Sequence, residues 1–417
     1  MVIRLSKLVV EIVLSVVVIV AAAAAIFAWR LSAGPIPLGF LTPIIERSLN
    51  AEVQGAKITF DETVLAWAGW ERNLDLKVLN VTVSRGEGAM VARIPELDLS
   101  LSTAALLRGV VAPVAIDVRR PRLTIVRTKE GGLRFGADAE GGAPQGAEEA
   151  GRVIPLMIGN FLREPDPTRR GGYLRQISIT DGVTTIYDLA DGRTWSVPDT
   201  DVTLFRNPAG LRADLGLTVK IEENEARLAA NASYSTGADR IEGQVRFTDI
   251  GLAQLRFVDS RLARLGVLET TVSGIVDLAM ALDGQVRSVG FNLAGPKGRI
   301  VYPAFFPEPV EFRQVRLVGE FSEDAQRLRI DEAALDLGET RIEASGDING
   351  LDDRPRVSAT AVVRKVFVDD VRRLWPISVS ANARRWIIEN LSKGVIEEGR
   401  FQLSMAAPSG GAELVAE

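Results

Sequence analysis

The sequence predicts a mainly β protein, in which one N-terminal transmembrane helix precedes an extended, curved, mostly antiparallel sheet with a few short helices. Three observations lead there. A charge-free apolar run sits near the start, period-two alternation dominates the rest of the chain, and turn-forming clusters interrupt the alternation at hairpin spacing.

The apolar run extends from Ile12 to Ala28 (IVLSVVVIVAAAAAIFA), with Leu8, Val9 and Val10 upstream and only Glu11 between. With its flanks it is about 20 residues long, enough to cross roughly 30 Å of hydrocarbon. Arg4 and Lys7 precede it, so the positive-inside rule puts the N-terminus in the cytoplasm and everything after Trp29 on the far side. Ile12, Val16, Ile19, Ile26 and Phe27 suit the hydrocarbon, while Trp29 and Arg30 suit the interface. A cleaved signal peptide is the alternative, since Ala21 to Ala25 offer an A-x-A site. The run exceeds the usual h-region of about 7 to 15 residues, which favours a retained anchor.

Beyond Pro35 and Pro37 the strands begin. Leu74, Leu76 and Val78 alternate, and after a phase slip Val81 and Val83 continue, followed by Ile94, Leu97, Leu99 and Leu101. Similar runs are Leu211 to Val219, Ala226 to Tyr234, Ile241 to Phe247, Val289 to Leu293, Val315 to Phe321 and Val357 to Val363. The longest is Val272 to Leu282, whose Val276, Leu278, Met280 and Leu282 share one face, with Asp277, Ala279, Ala281 and Asp283 on the other. About twenty such strands are expected, separated by clusters such as Ser235-Thr236-Gly237 and Asn349-Gly350.

Helices are short: Thr103 to Arg108, Val153 to Leu162, and Leu252 to Leu265 with a single apolar face. Ser380 is placed to N-cap a further helix with Ala383, Trp386, Ile387 and Leu391 on its apolar side, and Gly394 to stop it at C′. Residues 136–151 (GADAEGGAPQGAEEAG) are small, acidic and aperiodic, which reads as a flexible linker. The organisation is therefore 1–30 tail and anchor, 31–135 an N-terminal β unit, 136–151 linker, and 152–417 a β region with short helices. The strand Gly399 to Met405 lacks an obvious next partner, so a longer parent protein is expected.

Composition narrows the chemistry. The 417 residues contain no His and no Cys, which removes the usual ligands of zinc and haem and the usual members of Ser-His-Asp and Cys-His sites. A net charge of −5 with 25% charged residues of mixed sign gives no field favouring nucleic acid. No Gly-Lys dipeptide begins a phosphate loop. Paired acids such as Glu222-Glu223 and Glu397-Glu398 point to opposite faces of a strand and read as solvated surface. Arginine pairs at Arg119-Arg120 and Arg384-Arg385 read as solvated faces or as contacts for lipid head groups. No catalytic, cofactor or metal site is expected. Strands with one apolar face need cover, and few amphipathic helices exist to give it. Either the sheet folds over itself as a sandwich or barrel, or something apolar from outside fills it.

The layout resembles the AsmA-like superfamily, and within it the YhdP and TamB types. At the front the likeness rests on the anchor, Leu74-Asp75-Leu76, then Ile94-Pro95-Glu96-Leu97-Asp98-Leu99, Leu106-Leu107-Arg108-Gly109 and Pro121-Arg122-Leu123. Near the end it rests on a tighter block of Trp375, Pro376, Arg384, Arg385, Trp386 and Gly394. The resemblance implies a bridge-like lipid transporter of a Gram-negative envelope, anchored in the inner membrane with its bulk in the periplasm. Its curved sheet would form an apolar groove for phospholipid tails, supporting the outer membrane. The candidates to line that groove are Val245, Phe247, Val276, Leu278, Met280, Leu282, Leu317 and Phe321. Phospholipids, the inner membrane and other envelope proteins are the implied partners. The alternative function is a structural or assembly factor that binds outer-membrane proteins through its sheet edges.

Overall fold

In a computed structural model of the chain, the residues described are 36–39, 57–67, 74–85, 89–102, 112–128, 133–136, 170–189, 192–221, 224–252, 265–282, 285–351, 355–377 and 380–406, with isolated positions between them. Among them no helix is long and apolar enough to cross a membrane. Of the anchor segment Val18, Ala22, Trp29 and Arg30 are described, all exposed; Ile12, Val16, Ile19, Ile26 and Phe27 lie outside the described residues. So do the linker at 136–151 beyond Gly136, which ends a strand, the helix at 153–162, and all but the ends of the one at 252–265. The chain divides into two compact units, Met1–Pro208 and Ala209–Glu417. The sequence places the boundary earlier, but residues 176–207 pair with the N-terminal strands.

The first unit contains β1 (Ile36–Pro37), β2 (Lys57–Thr59), β3 (Glu62–Trp67), β4 (Leu74–Arg85), β5 (Ala89–Leu101), β6 (Pro113–Arg119), β7 (Arg122–Arg127), β8 (Leu133–Gly136), β9 (Gln176–Asp188) and β10 (Arg193–Asn207). They pair in the order β1–β3–β4–β5–β6–β9–β10. Strand β2 continues along β4 past β3, and β7 continues along β9 past β6 with β8 on its other edge. The pairings of β9 with β6 and β7 are parallel, a departure from pure hairpin topology that carries the chain back across the sheet.

The phase slip between Val78 and Val81 has a local cause. Asn80 takes a left-handed conformation at φ 54°, and the ladder with β5 skips the position opposite it, where Pro95 has no N–H to give. Both strands change phase together, so Val78 and Val81 join one cluster with Phe60, packed by Ile58, Ile94 and Leu97. Beside it Leu65 and Leu76 lie under Ile36 and Leu38. Polar side chains bond here as well: the Phe60 N–H donates to Glu46 Oε1 (3.0 Å) and the Ile58 N–H to Asn50 Oδ1 (2.7 Å), while between backbones the Leu38 N–H donates to the Thr63 carbonyl (2.8 Å). The other face of this sheet is ionic: Lys77 meets Glu96 at 2.6 Å and Arg119 meets Asp98 at 2.9 Å. Burial raises the Asp98 pKa, and the Lys77 hydrogen bond lowers that of Glu96.

The second unit contains β11 (Gly210–Ile221), β12 (Asn224–Ser235), β13 (Arg240–Gly251), β14 (Leu268–Glu269), β15 (Thr271–Ala281), β16 (Val286–Gly295), β17 (Gly298–Ile300), β18 (Val310–Phe312), β19 (Gln314–Ser322), β20 (Arg327–Asp336), β21 (Arg341–Asn349), β22 (Arg356–Phe367), α1 (Val371–Leu374), α2 (Ala381–Asn390) and β23 (Val395–Ala406). Ten of its strands form one antiparallel meander, β11–β12–β13–β15–β16–β19–β20–β21–β22–β23. The remaining three make a small sheet of their own, with β17 between β14 and β18.

A meander returns to the same rim at every second connection. The third, fifth and ninth connections, 252–270, 296–313 and 368–394, hold the small sheet and both helices, so every long insertion lies at one rim. The opposite rim has only short turns at 236–239, 282–285, 323–326 and 350–355.

Two capping expectations need correction. Ser380 does occupy the N-cap of α2, but its backbone is left-handed and its side chain makes no capping bond. Gly394 does not stop the helix, because α2 ends at Asn390 and Leu391 is already extended. Gly394 leads instead into β23, its carbonyl accepting the Val368 N–H at 3.0 Å.

Candidate functional site: an uncovered apolar face

Cross-strand partners in a sheet project to the same side, so the registers of the second unit show which residues share a face. One row runs Leu215, Ala230, Val245, Val276, Phe291, Gly319, Ile330, Gly346, Ala359 and Leu403. The adjacent row runs Leu217, Leu228, Phe247, Gly274, Leu293, Leu317, Ala333, Ala344, Ala361 and Phe401. On its other side, Leu278 and Phe321 flank Val289, and Leu328, Ile348 and Val357 continue the line. The apolar face is therefore unbroken across all ten strands. Ten strands at about 4.8 Å and three rows about 7 Å apart give an area on the order of 1,000 Å². The largest exposed apolar patch of an ordinary monomer is about 300–600 Å².

Among the described residues its cover is confined to the rim, where Trp375 stands against Phe401. The large side chains of these rows are half-buried, shielded by one another, and Phe401 and Leu403 at the last strand are exposed. Of the well-buried apolar side chains of this unit, Leu252, Val310, Phe312 and Val371 belong to the rim insertions, and Val272 and Ala281 lie near the two ends of β15.

The sheet curls toward this face. A Cβ on Gly274 would stand 2.5 Å from the Asn292 carbonyl oxygen, and one on Gly319 would collide with the Arg329 carbonyl and the Phe291 ring. Gly290, on the polar face, would meet nothing closer than 3.7 Å. Crowding on one side and room on the other mark a concave apolar side. The curl does not close, for β11 and β23 make no ladder with each other. The polar side carries ion pairs such as Arg316–Glu332 at 3.1 Å and Arg364–Glu343 at 2.7 Å.

Of the residues singled out from the sequence, Val245, Phe247, Val276, Leu278, Met280, Leu317 and Phe321 share the apolar face. Leu282 does not belong with them: β15 ends at Ala281, and Leu282 sits in the turn with 58% of its surface exposed. The alternating pattern runs one residue past the strand, into the hairpin turn.

The Trp375-to-Gly394 block folds at the rim beside β23. The Arg384 guanidinium donates to the carbonyls of Arg372 (2.7 Å) and Trp375 (3.1 Å), satisfying the open end of α1. The Trp375 ring stands edge-on to Phe401 at 6.0 Å and 89°, which brings half-buried Trp375 onto the last strand of the apolar face. Pro376 is half-buried, while Arg385 and Trp386 are exposed.

Sequence reading missed one grouping. Asp181, Asp199 and Asp201 of the first unit bring carboxylate oxygens within 4.8 Å of one another, all exposed. The left-handed turn of Asp181 (φ 54°) and its N–H bond to Asp201 Oδ1 (3.0 Å) account for the approach. No sequence spacing signals it, because a register shift in β9–β10 creates it. What the apolar face offers chemically is dispersion contact and exclusion of water. Comparison of the chain with protein-family models, curated proteins and solved structures returns no match.

Proposed function

We propose that this chain is an inner-membrane-anchored periplasmic protein whose second unit carries phospholipid acyl chains along its concave apolar face, moving lipid between the two membranes and supporting the outer one. The uncovered face carries the reading. An apolar surface of this extent is costly in water at about 25 cal/mol per Å², and an acyl chain removes that cost while leaving its charged head in solvent beyond the rim. The resemblance to AsmA-like proteins supports the same reading, and it assigns no catalytic group, cofactor or metal.

Leu278→Asp tests it, since the substitution puts a carboxylate in the middle of the face. The protein should accumulate and keep its thermal transition, yet lose the phospholipid that co-purifies with wild type in native mass spectrometry. Wild-type protein that carries no phospholipid after gentle purification would defeat the proposal. One observation favours the assembly-factor alternative: β23 makes ladder bonds only to β22 among the described residues and offers a free edge. Pull-down of outer-membrane proteins through that edge, with no lipid bound, would be its result.

A further inference from the structure

The rim insertions carry their own exposed apolar surface. Tyr302 and Phe305, in the connection between β17 and β18, stack at 5.0 Å, and the Phe305 carbonyl accepts the Ile377 N–H at 2.9 Å. The loop of the small sheet is thereby joined to the α1–α2 segment. Tyr302, Phe305, Ile377, Trp386 and Leu391 are 41%, 37%, 42%, 59% and 44% exposed. Helix α2 buries none of its residues. An amphipathic helix that leaves a Trp standing in solvent lacks its partner.

Charge identifies the partner. Over the insertion 368–394 the chain carries five cations, Arg372, Arg373, Arg384, Arg385 and Lys393, against the carboxylates of Asp369, Asp370 and Glu389, a net +2 in a chain whose total is −5. Arg384 is engaged with carbonyls and Arg373 reaches Asp370 at 3.4 Å, but Arg372, Arg385 and Lys393 are exposed. Exposed Trp and aliphatic side chains flanked by cations match the interface of an anionic bilayer, where the ring sits at head-group level and each Lys or Arg adds about fivefold in affinity.

We infer that the α1–α2 insertion, with the Tyr302–Phe305 loop, is a docking surface for the head-group region of an anionic phospholipid bilayer. It lies beside β22 and β23, where Trp375 meets Phe401, so docking sets a membrane surface against the exposed end of the apolar face. The inference stands on exposure and charge, and adds a site of membrane contact to the lipid-carrying reading.

The chain has no native Cys, so Leu391→Cys gives one site for an environment-sensitive fluorophore. The full chain is assembled in neutral phosphatidylcholine nanodiscs, which occupy any N-terminal anchor, and vesicles are then added. Vesicles of phosphatidylcholine with phosphatidylglycerol should shift the label to the blue and co-float the nanodiscs. Pure phosphatidylcholine vesicles should do neither. Adding Arg385→Glu and Trp386→Asp should weaken capture at least about tenfold with the thermal transition and the co-purified phospholipid unchanged. Equal capture by neutral vesicles, or capture undiminished in the variant, would overturn the inference. So would a blue shift without vesicles, which would mean that the surface binds another copy of the chain. Co-purified phospholipid is read on the same samples, so failure of docking and failure of lipid carriage are separable.

Discussion

In the first unit Leu76 and Val78 lie beneath Ile36, Leu38 and Phe60, and Val78 is 1% exposed. In the second unit Val276 and Leu278 stand on a strand of the same alternation and remain half exposed. The difference lies in the covering elements and not in the strands. Ile36, Leu38, Ile58 and Phe60 pack against β3 and β4, with Glu46 and Asn50 accepting from the Phe60 and Ile58 N–H groups, whereas the insertions of the second unit gather at one rim. Alternation specifies that a sheet has an apolar face; a separate element must supply its cover.

The largest expected effect contrasts these faces directly. Val78→Asp strands a carboxylate without a partner and should cost about 3–5 kcal/mol, removing the first unit's unfolding transition or the protein from the cell. Leu278→Asp should cost less than about 1.5 kcal/mol, because water reaches the charge on an open face. Equal losses in urea denaturation would show that the second face is covered too. Next in size are the two glycines. Gly319→Ala forces its neighbours apart and should destabilise the second unit by about 1–3 kcal/mol, while Gly290→Ala on the roomy side should stay within about 0.5 kcal/mol of wild type. If both are neutral, the sheet does not curl as described.

The units should also respond differently to acid. In the first, the Lys77 hydrogen bond lowers the Glu96 pKa, so its contribution is complete above the usual 4.5 and is lost as pH falls through the lowered value. Burial raises the Asp98 pKa above 3.8, so the folded state takes up that proton more readily, and its charge costs stability above the raised value, a cost relieved as pH falls toward 3.8. The two oppose each other. Glu96→Gln should therefore flatten the acid-side fall of the first unit, and Asp98→Asn should steepen it, as followed by thermal melts from neutral to acid pH. The second unit's lowered carboxylates, Glu339 beside Lys365 and Glu398 beside Arg400, are exposed to solvent, so its smaller response should vanish in salt. Smallest of all, Arg364→Ala on the polar face should leave the thermal transition unmoved, as surface ion pairs usually do.

Much of this was legible in the sequence because period two is a direct image of the pleat. The run Val272 to Leu282 put Val276, Leu278 and Met280 on the face where the registers place them. The slip at Val78–Val81 was visible too, although its cause, Asn80 opposite Pro95, appears only when two strands are aligned. What alternation cannot carry is pairing. The parallel return of β9 along β6 and β7, the Asp181 trio and the collision at Gly319 depend on which residue lies across the ladder. The rim asymmetry was implicit in connection lengths, yet it becomes meaningful only once ten strands are known to form one meander. Gly394 misled because helix-stop chemistry and strand entry use the same residue.

The most direct test of the central claim compares two neighbours on β15. A photo-crosslinking amino acid is placed at Leu278, on the apolar face, or at Asp277, on the polar one, and activated in living cells. Phospholipid adducts at position 278 and none at 277 are the predicted result. Equal adducts at both, or protein adducts alone at 278, would contradict a lipid path over this face.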